Sequence, residues 1–150
     1  MSVSPLTGKM RYNVRLEPSF RHALYGIFAV LFMTGAAWFV TDRMKDTASE
    51  DIWQEVAPYL LRVHGGAAMA SLMLLGALVP LHVQRAWQGK KNMGSGIAMV
   101  AFNGALIATA FGLYYLGSET LRPLARGIHI GFGFFLPALF LAHILIGKRS

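Results

Sequence analysis

Four long runs in this sequence contain no Asp, Glu, Lys or Arg, at residues 22–41, 63–84, 92–118 and 127–147. They are 20, 22, 27 and 21 residues long, and each exceeds the roughly 18 apolar residues that suffice to cross a hydrocarbon core of about 30 Å. Leu, Ala, Phe, Met and Gly fill them without strand-like alternation. Backbone in lipid must satisfy its own hydrogen bonds, so each run reads as a helix. The sequence therefore predicts an all-α, integral membrane four-helix bundle, with helices at about 20–42, 59–87, 95–117 and 124–147. A basic arm, residues 1–19, precedes a single transmembrane domain, residues 20–150, and no room remains for a soluble domain. The first run follows 21 polar and basic residues, and no A-x-A-like site comes after Val40, so it reads as a retained helix and not a cleaved signal peptide.

A net charge of +7 would suggest nucleic acid in a soluble protein. Here it reads as topology. With the N-terminus inside, Lys9, Arg11, Arg15, Arg21, Arg85, Lys90, Lys91, Lys148 and Arg149 fall on the cytoplasmic side. Only Arg43, Lys45, Arg62, Arg122 and Arg126 fall outside. This bias in Lys and Arg predicts both termini in the cytoplasm. The basic excess then serves orientation and contact with membrane lipid headgroups, with no nucleic-acid partner.

Punctuation along the chain is sparse. Pro18 precedes the first helix. In the connection 43–59, Ser49-Glu50-Asp51 resembles a helix N-cap, and Ile52, Trp53, Val56 and Leu60 follow at helical spacing. That pattern predicts a short interfacial helix leading to Pro58, with Trp53 and Tyr59 at headgroup level. Pro80 is expected to kink the cytoplasmic end of the second helix, and Pro137 lies within the fourth. The turn 88–92 is short and basic, and no internal repeat is evident.

The chemistry lies in the histidines. His64 and His82 are 18 residues apart, five full turns, and His129 and His143 are 14 apart, just under four. Each pair lies on roughly one face of its helix. Imidazole in hydrocarbon is costly and usually functional, and it is a common axial ligand of heme iron. Short connections make the second and fourth helices parallel, so His64 and His129, near their outer ends, can face each other and hold one iron. His143 lies about 21 Å further along by helical rise. Its partner must share that depth, and both His82 and His22 do so. The bland alternatives are interhelical hydrogen bonding or a zinc or copper site, against which stands the matching of four histidines at two depths.

Small residues surround these positions. Gly65, Gly66, Ala67 and Ala68 follow His64, and Gly127, Gly131 and Gly133 flank His129. They would admit a flat porphyrin, or simply let helices pack closely. Arg62 and Arg126 precede the outer pair, and Arg21 and Arg85 stand beside His22 and His82. Each is placed to pair with a heme propionate, or to anchor a helix end at the interface. The chain has no cysteine, which excludes disulfides, iron–sulfur clusters and covalent C-x-x-C-H attachment. Any heme would be held non-covalently, as heme b.

With Arg21-His22 opening the first helix, His64-Gly65 in the second, Gly112-Leu113-Tyr114-Tyr115-Leu116-Gly117 closing the third, and His129 with His143 on the fourth, residues 20–147 resemble a known family. It is that of the small four-helix di-heme b-type cytochromes, which includes the membrane subunits of respiratory formate dehydrogenases and related quinone-linked cytochromes. The resemblance implies two heme b groups, one held by His64 and His129 and the other by His22 and His143. His82 departs from that pattern. Either it replaces His22 as ligand, against a height mismatch of about 6 Å by helical rise, or it serves a quinone site or a propionate. The preferred assignment is His22 as ligand.

The implied function is a transmembrane electron-transfer subunit of the respiratory chain, linking the quinone pool to a partner such as cytochrome c or dehydrogenase subunits. Acidic residues 42–55 and basic residues 85–91 are the expected docking elements. Two alternatives follow from the same residues: a stand-alone quinone-linked oxidoreductase, and a heme-free structural subunit of a larger complex.

Overall fold

The computed structural model describes residues 16–45, 52–90 and 92–149. Among them are four long helices and no strand: α1 (Pro18–Met44), α2 (Ile52–Gln88), α3 (Met93–Tyr115) and α4 (Leu121–Arg149). Each is long and apolar enough to cross a membrane. The chain is a multi-pass, all-α membrane protein. Most of the predicted arm (1–15), the Ser49-Glu50-Asp51 cap and Lys91 lie outside the described residues.

Local chemistry sets the helix ends. Glu17 is extended (φ −60°, ψ 140°) and Pro18, with φ already fixed, opens α1. The Glu17 carboxylate accepts the Ser19 hydroxyl, which holds its pKa below the ordinary carboxylate value. At Leu116 the chain turns extended and ends α3, while its N–H still reaches the Gly112 carbonyl at 2.8 Å. The Ser118 hydroxyl then accepts the N–H groups of Thr120 and Leu121, at 3.3 and 3.2 Å, and starts α4. In the α2–α3 turn, Lys90 and Asn92 are left-handed, with φ of 51° and 49°.

Two features of α2 differ from expectation. It begins at Ile52 and passes through Pro58 without a break, so the separate interfacial helix is simply its first two turns. Proline within a helix removes one N–H donor, a loss membrane helices tolerate. At Pro80 the helix does not merely kink. Residues Val79–Val83 form a π-helical turn before α-helix resumes at Gln84–Gln88. Such a turn accommodates one extra residue and changes the direction of every side chain beyond it.

α1 packs against α2, α3 against α4, and α1 also meets α4. The α1–α2 and α3–α4 connections share one end of the bundle, the loop end. The start of α1, the α2–α3 turn and the end of α4 share the other, the turn end. The buried positions are mostly small: Ala57, Ala67 and Ser71 on α2 and Ala125 on α4, beside Leu24 and Thr41 on α1. Small residues let helices approach closely where lipid offers no hydrophobic drive for association. Large apolar side chains face outward; Met69 and Met73 are 70% and 73% exposed, as suits a surface solvated by hydrocarbon. Between α1 and α4 runs an aromatic seam, in which Tyr25 and Phe28 meet Phe140, and Phe32 and Phe39 meet Phe134, at ring-centre distances of 5.4–6.0 Å.

Candidate functional site

α2 and α4 run parallel and approach each other through imidazoles. Near the loop end, the His64 and His129 ring centres are 6.3 Å apart with planes at 78°. Near the turn end, His82 and His143 are 6.1 Å apart with planes at 84°. All four rings are half-buried. The chain thus brings four histidines into two facing pairs, at two depths, between the same two helices.

The neighbouring helices hold these rings from behind. His64 Nδ1 lies 3.1 Å from the Leu31 carbonyl and 3.1 Å from the Thr34 hydroxyl, both on α1. His129 Nδ1 lies 3.0 Å from the Thr109 hydroxyl on α3. His143 Nδ1 lies 2.9 Å from the Ser95 hydroxyl, in the first turn of α3. A carbonyl can only accept, so Nδ1 of His64 carries the hydrogen and its Nε2 keeps the lone pair. Engaging the distal nitrogen in this way is how metal-bound histidines are oriented.

The spacing fits a single metal atom within each pair. Two metal–imidazole bonds of about 2.0–2.1 Å, with about 1.1 Å from each nitrogen to its ring centre, span about 6.3 Å. Among the described residues no group of three or more His, Cys, Asp or Glu side chains gathers as a metal cage. Two imidazoles per site are too few for a structural zinc, which takes four protein ligands. They suit a metal whose remaining positions are filled by its own macrocycle. Gly133, one turn beyond His129 on the same face, is open: a Cβ built there meets nothing within 4 Å.

The expected pairing of His22 with His143 is not the one the fold makes. His22 is exposed near the start of α1, and α1 meets α4 at that depth through Tyr25 and Phe28 against Phe140. His82 stands opposite His143 instead. The 6 Å mismatch assumed a uniform helix. The π-turn packs an extra residue into Val79–Val83, which takes up part of that height and aims His82 into the bundle.

The four arginines lie at the helix ends, as expected, and all are exposed. Arg62 stacks over Tyr59 of its own helix, 5.3 Å from the ring centre. Arg126 pairs with Asp42 on α1 and lies 5.3 Å from the Trp38 ring centre, so its charge ties α4 to α1. Asp42 also has Lys45 at 3.7 Å. Beside this pair, Phe39, Arg43, Pro123, Gly127 and Ile130 line a cleft of about 400 Å³ at the top of the aromatic seam. Arg21 and Arg85 lie near the turn end.

Four residues that position the imidazoles were not singled out in the sequence: Thr34, Gly35, Ser95 and Thr109. A Cβ on Gly35 would sit 3.2 Å from His64 Cε1, so this glycine, and not those beside the histidines, is the one the ring presses on. A signal did exist. Leu31-Phe32-Met33-Thr34 and Leu106-Ile107-Ala108-Thr109 share a Leu-x-x-Thr spacing, on the two helices that carry no histidine of the loop-end pair. Comparison with protein-family models, curated proteins and solved structures returns no match for this chain.

Proposed function

We propose that this protein is a di-heme b-type electron-transfer subunit, passing electrons across a bacterial inner membrane between the quinone pool and a partner redox protein. The observation that carries this reading is the pair of imidazole couples between α2 and α4, at 6.3 and 6.1 Å. Each separation suits one six-coordinate iron. Heme supplies reversible one-electron exchange at its iron. The residues of this chain supply everything around it. His64 with His129, and His82 with His143, offer facing nitrogens. Thr34, Thr109 and Ser95 hold the rings at Nδ1. Arg62 and Arg126 at the loop end, and Arg21 and Arg85 at the turn end, offer donors for carboxylates.

The Lys and Arg bias supports a cytoplasmic turn end, and with it both termini on that side. The partner, a cytochrome c or dehydrogenase subunits, would meet the loop end, and quinone would enter from the lipid. With no cysteine in the chain, heme would be held without covalent attachment.

The test is a dithionite-reduced minus oxidised spectrum of the purified protein, with pyridine hemochrome quantification. Two heme b per chain supports the proposal. Colourless protein, after expression with heme supplied, would overturn it and leave a structural subunit of a larger complex.

A further inference from the structure

Each helical hairpin sets a threonine hydroxyl against its loop-end imidazole. In the first, α1 presents the Leu31 carbonyl and the Thr34 hydroxyl to His64 of α2. In the second, α3 presents the Thr109 hydroxyl to His129 of α4. Both hydroxyls already have an acceptor one turn back. Thr34 donates to the Val30 carbonyl at 2.6 Å, and Thr109 to the Ala105 carbonyl at 2.7 Å. A hydroxyl has one hydrogen, so each oxygen can only accept from the imidazole beside it. Both rings are therefore held as the Nδ1–H tautomer, with the Nε2 lone pairs left for the space between α2 and α4.

We infer that Thr34 and Thr109 are positioning residues that fix the tautomer and plane of His64 and His129 and thereby lower the reduction potential of the loop-end centre. The inference rests on the ligation proposed above. Its physical basis is that a hydrogen bond accepted from Nδ1–H leaves more electron density on Nε2 and makes the ring a stronger donor. A stronger donor favours the oxidised, more highly charged metal. The hydroxyls also fix orientation: together with the Leu31 carbonyl they hold the ring planes at 78° to each other. His143 is held by Ser95 and neither threonine reaches it. Changes at Thr34 or Thr109 should thus act on one centre and leave the other alone.

The experiment uses the full-length protein in detergent with its heme. Thr34→Val and Thr109→Val keep shape and remove the hydroxyl; Thr34→Ser and Thr109→Ser keep it. Redox titration followed in the reduced α-band, with low-spin EPR of the oxidised protein, reads each heme separately. In the Val variants we expect the potential of one heme to rise and its EPR g-values to shift, with the other heme unmoved and the Ser variants close to wild type. Unchanged or falling potentials in heme-replete Val variants, or equal movement of both hemes, would overturn the inference. Should a Val variant lose one heme outright, the Ser variant decides: retention at wild-type potential supports the inference, and loss there too overturns it. A colourless wild type removes this inference together with the proposed function, whereas a two-heme wild type with unmoved Val variants removes this inference alone.

Discussion

His82 and His143 face each other across the turn end of the bundle, ring centres 6.1 Å apart and planes at 84°. His82 lies within the π-turn Val79–Val83, in which Pro80 interrupts the regular ladder just ahead of it. The fold makes His82, and not His22, the partner of His143. We expect His82→Ala to abolish one low-spin heme signal and His22→Ala to leave both in place. Heme quantification with EPR on the two variants checks this. Loss of the signal in His22→Ala alone would mean that α1 rearranges to supply a ligand when heme is bound.

At the loop end, His64→Ala and His129→Ala should each remove the same single heme and leave the turn-end one. The spectra of the two variants should then superimpose. Two different hemes lost, or both retained, would show that these residues do not share one iron.

Gly35 is the tightest test of the loop-end geometry. An added methyl would lie 3.2 Å from His64 Cε1, closer than comfortable contact. We expect Gly35→Ala to lower heme occupancy at the loop end modestly. Gly35→Val should displace the ring, at a cost of about 1–3 kcal/mol for overpacking. Gly66→Ala is the control, since nothing lies within 4 Å of its Cβ position. Equal behaviour of the Gly35 and Gly66 variants in heme-to-protein ratio and melting temperature would refute the close contact.

The Asp42–Arg126 pair joins α1 to α4 at the loop end, with side chains 24% and 48% exposed. A half-exposed pair of this kind contributes about 0–1 kcal/mol. Asp42→Asn should therefore change thermal stability little and leave heme content intact. Arg126→Gln separates the roles: an effect confined to stability assigns Arg126 to Asp42, and loss of the loop-end heme assigns it to a propionate.

Orientation is open to a direct measurement. Reporter fusions after Ser150 and within residues 46–50 should report opposite sides, with the C-terminus cytoplasmic. A C-terminal reporter outside the cytoplasm would exchange the two faces without altering the histidine pairing.

Much of this was legible in the residues themselves. Four spans, their antiparallel order and the parallel course of α2 and α4 follow from hydropathy, length and short connections, because an unbroken apolar run of about 20 residues satisfies its backbone in lipid as a helix. The His64–His129 pair follows too, since both lie the same few residues inside the loop end of parallel helices. Only the tertiary structure decided the rest. Helical periodicity assumes a uniform rise and turn, and a π-turn at Pro80 breaks both, so the aim of His82 could not be counted from His64. Thr34, Thr109 and Ser95 look like ordinary hydroxyls within apolar helices. Their role appears only once α1 packs on α2, and α3 on α4, and each oxygen meets a ring nitrogen 20 to 48 residues away in sequence. Sequence period places a side chain on a face of its own helix. The packing of a second helix decides what that face touches.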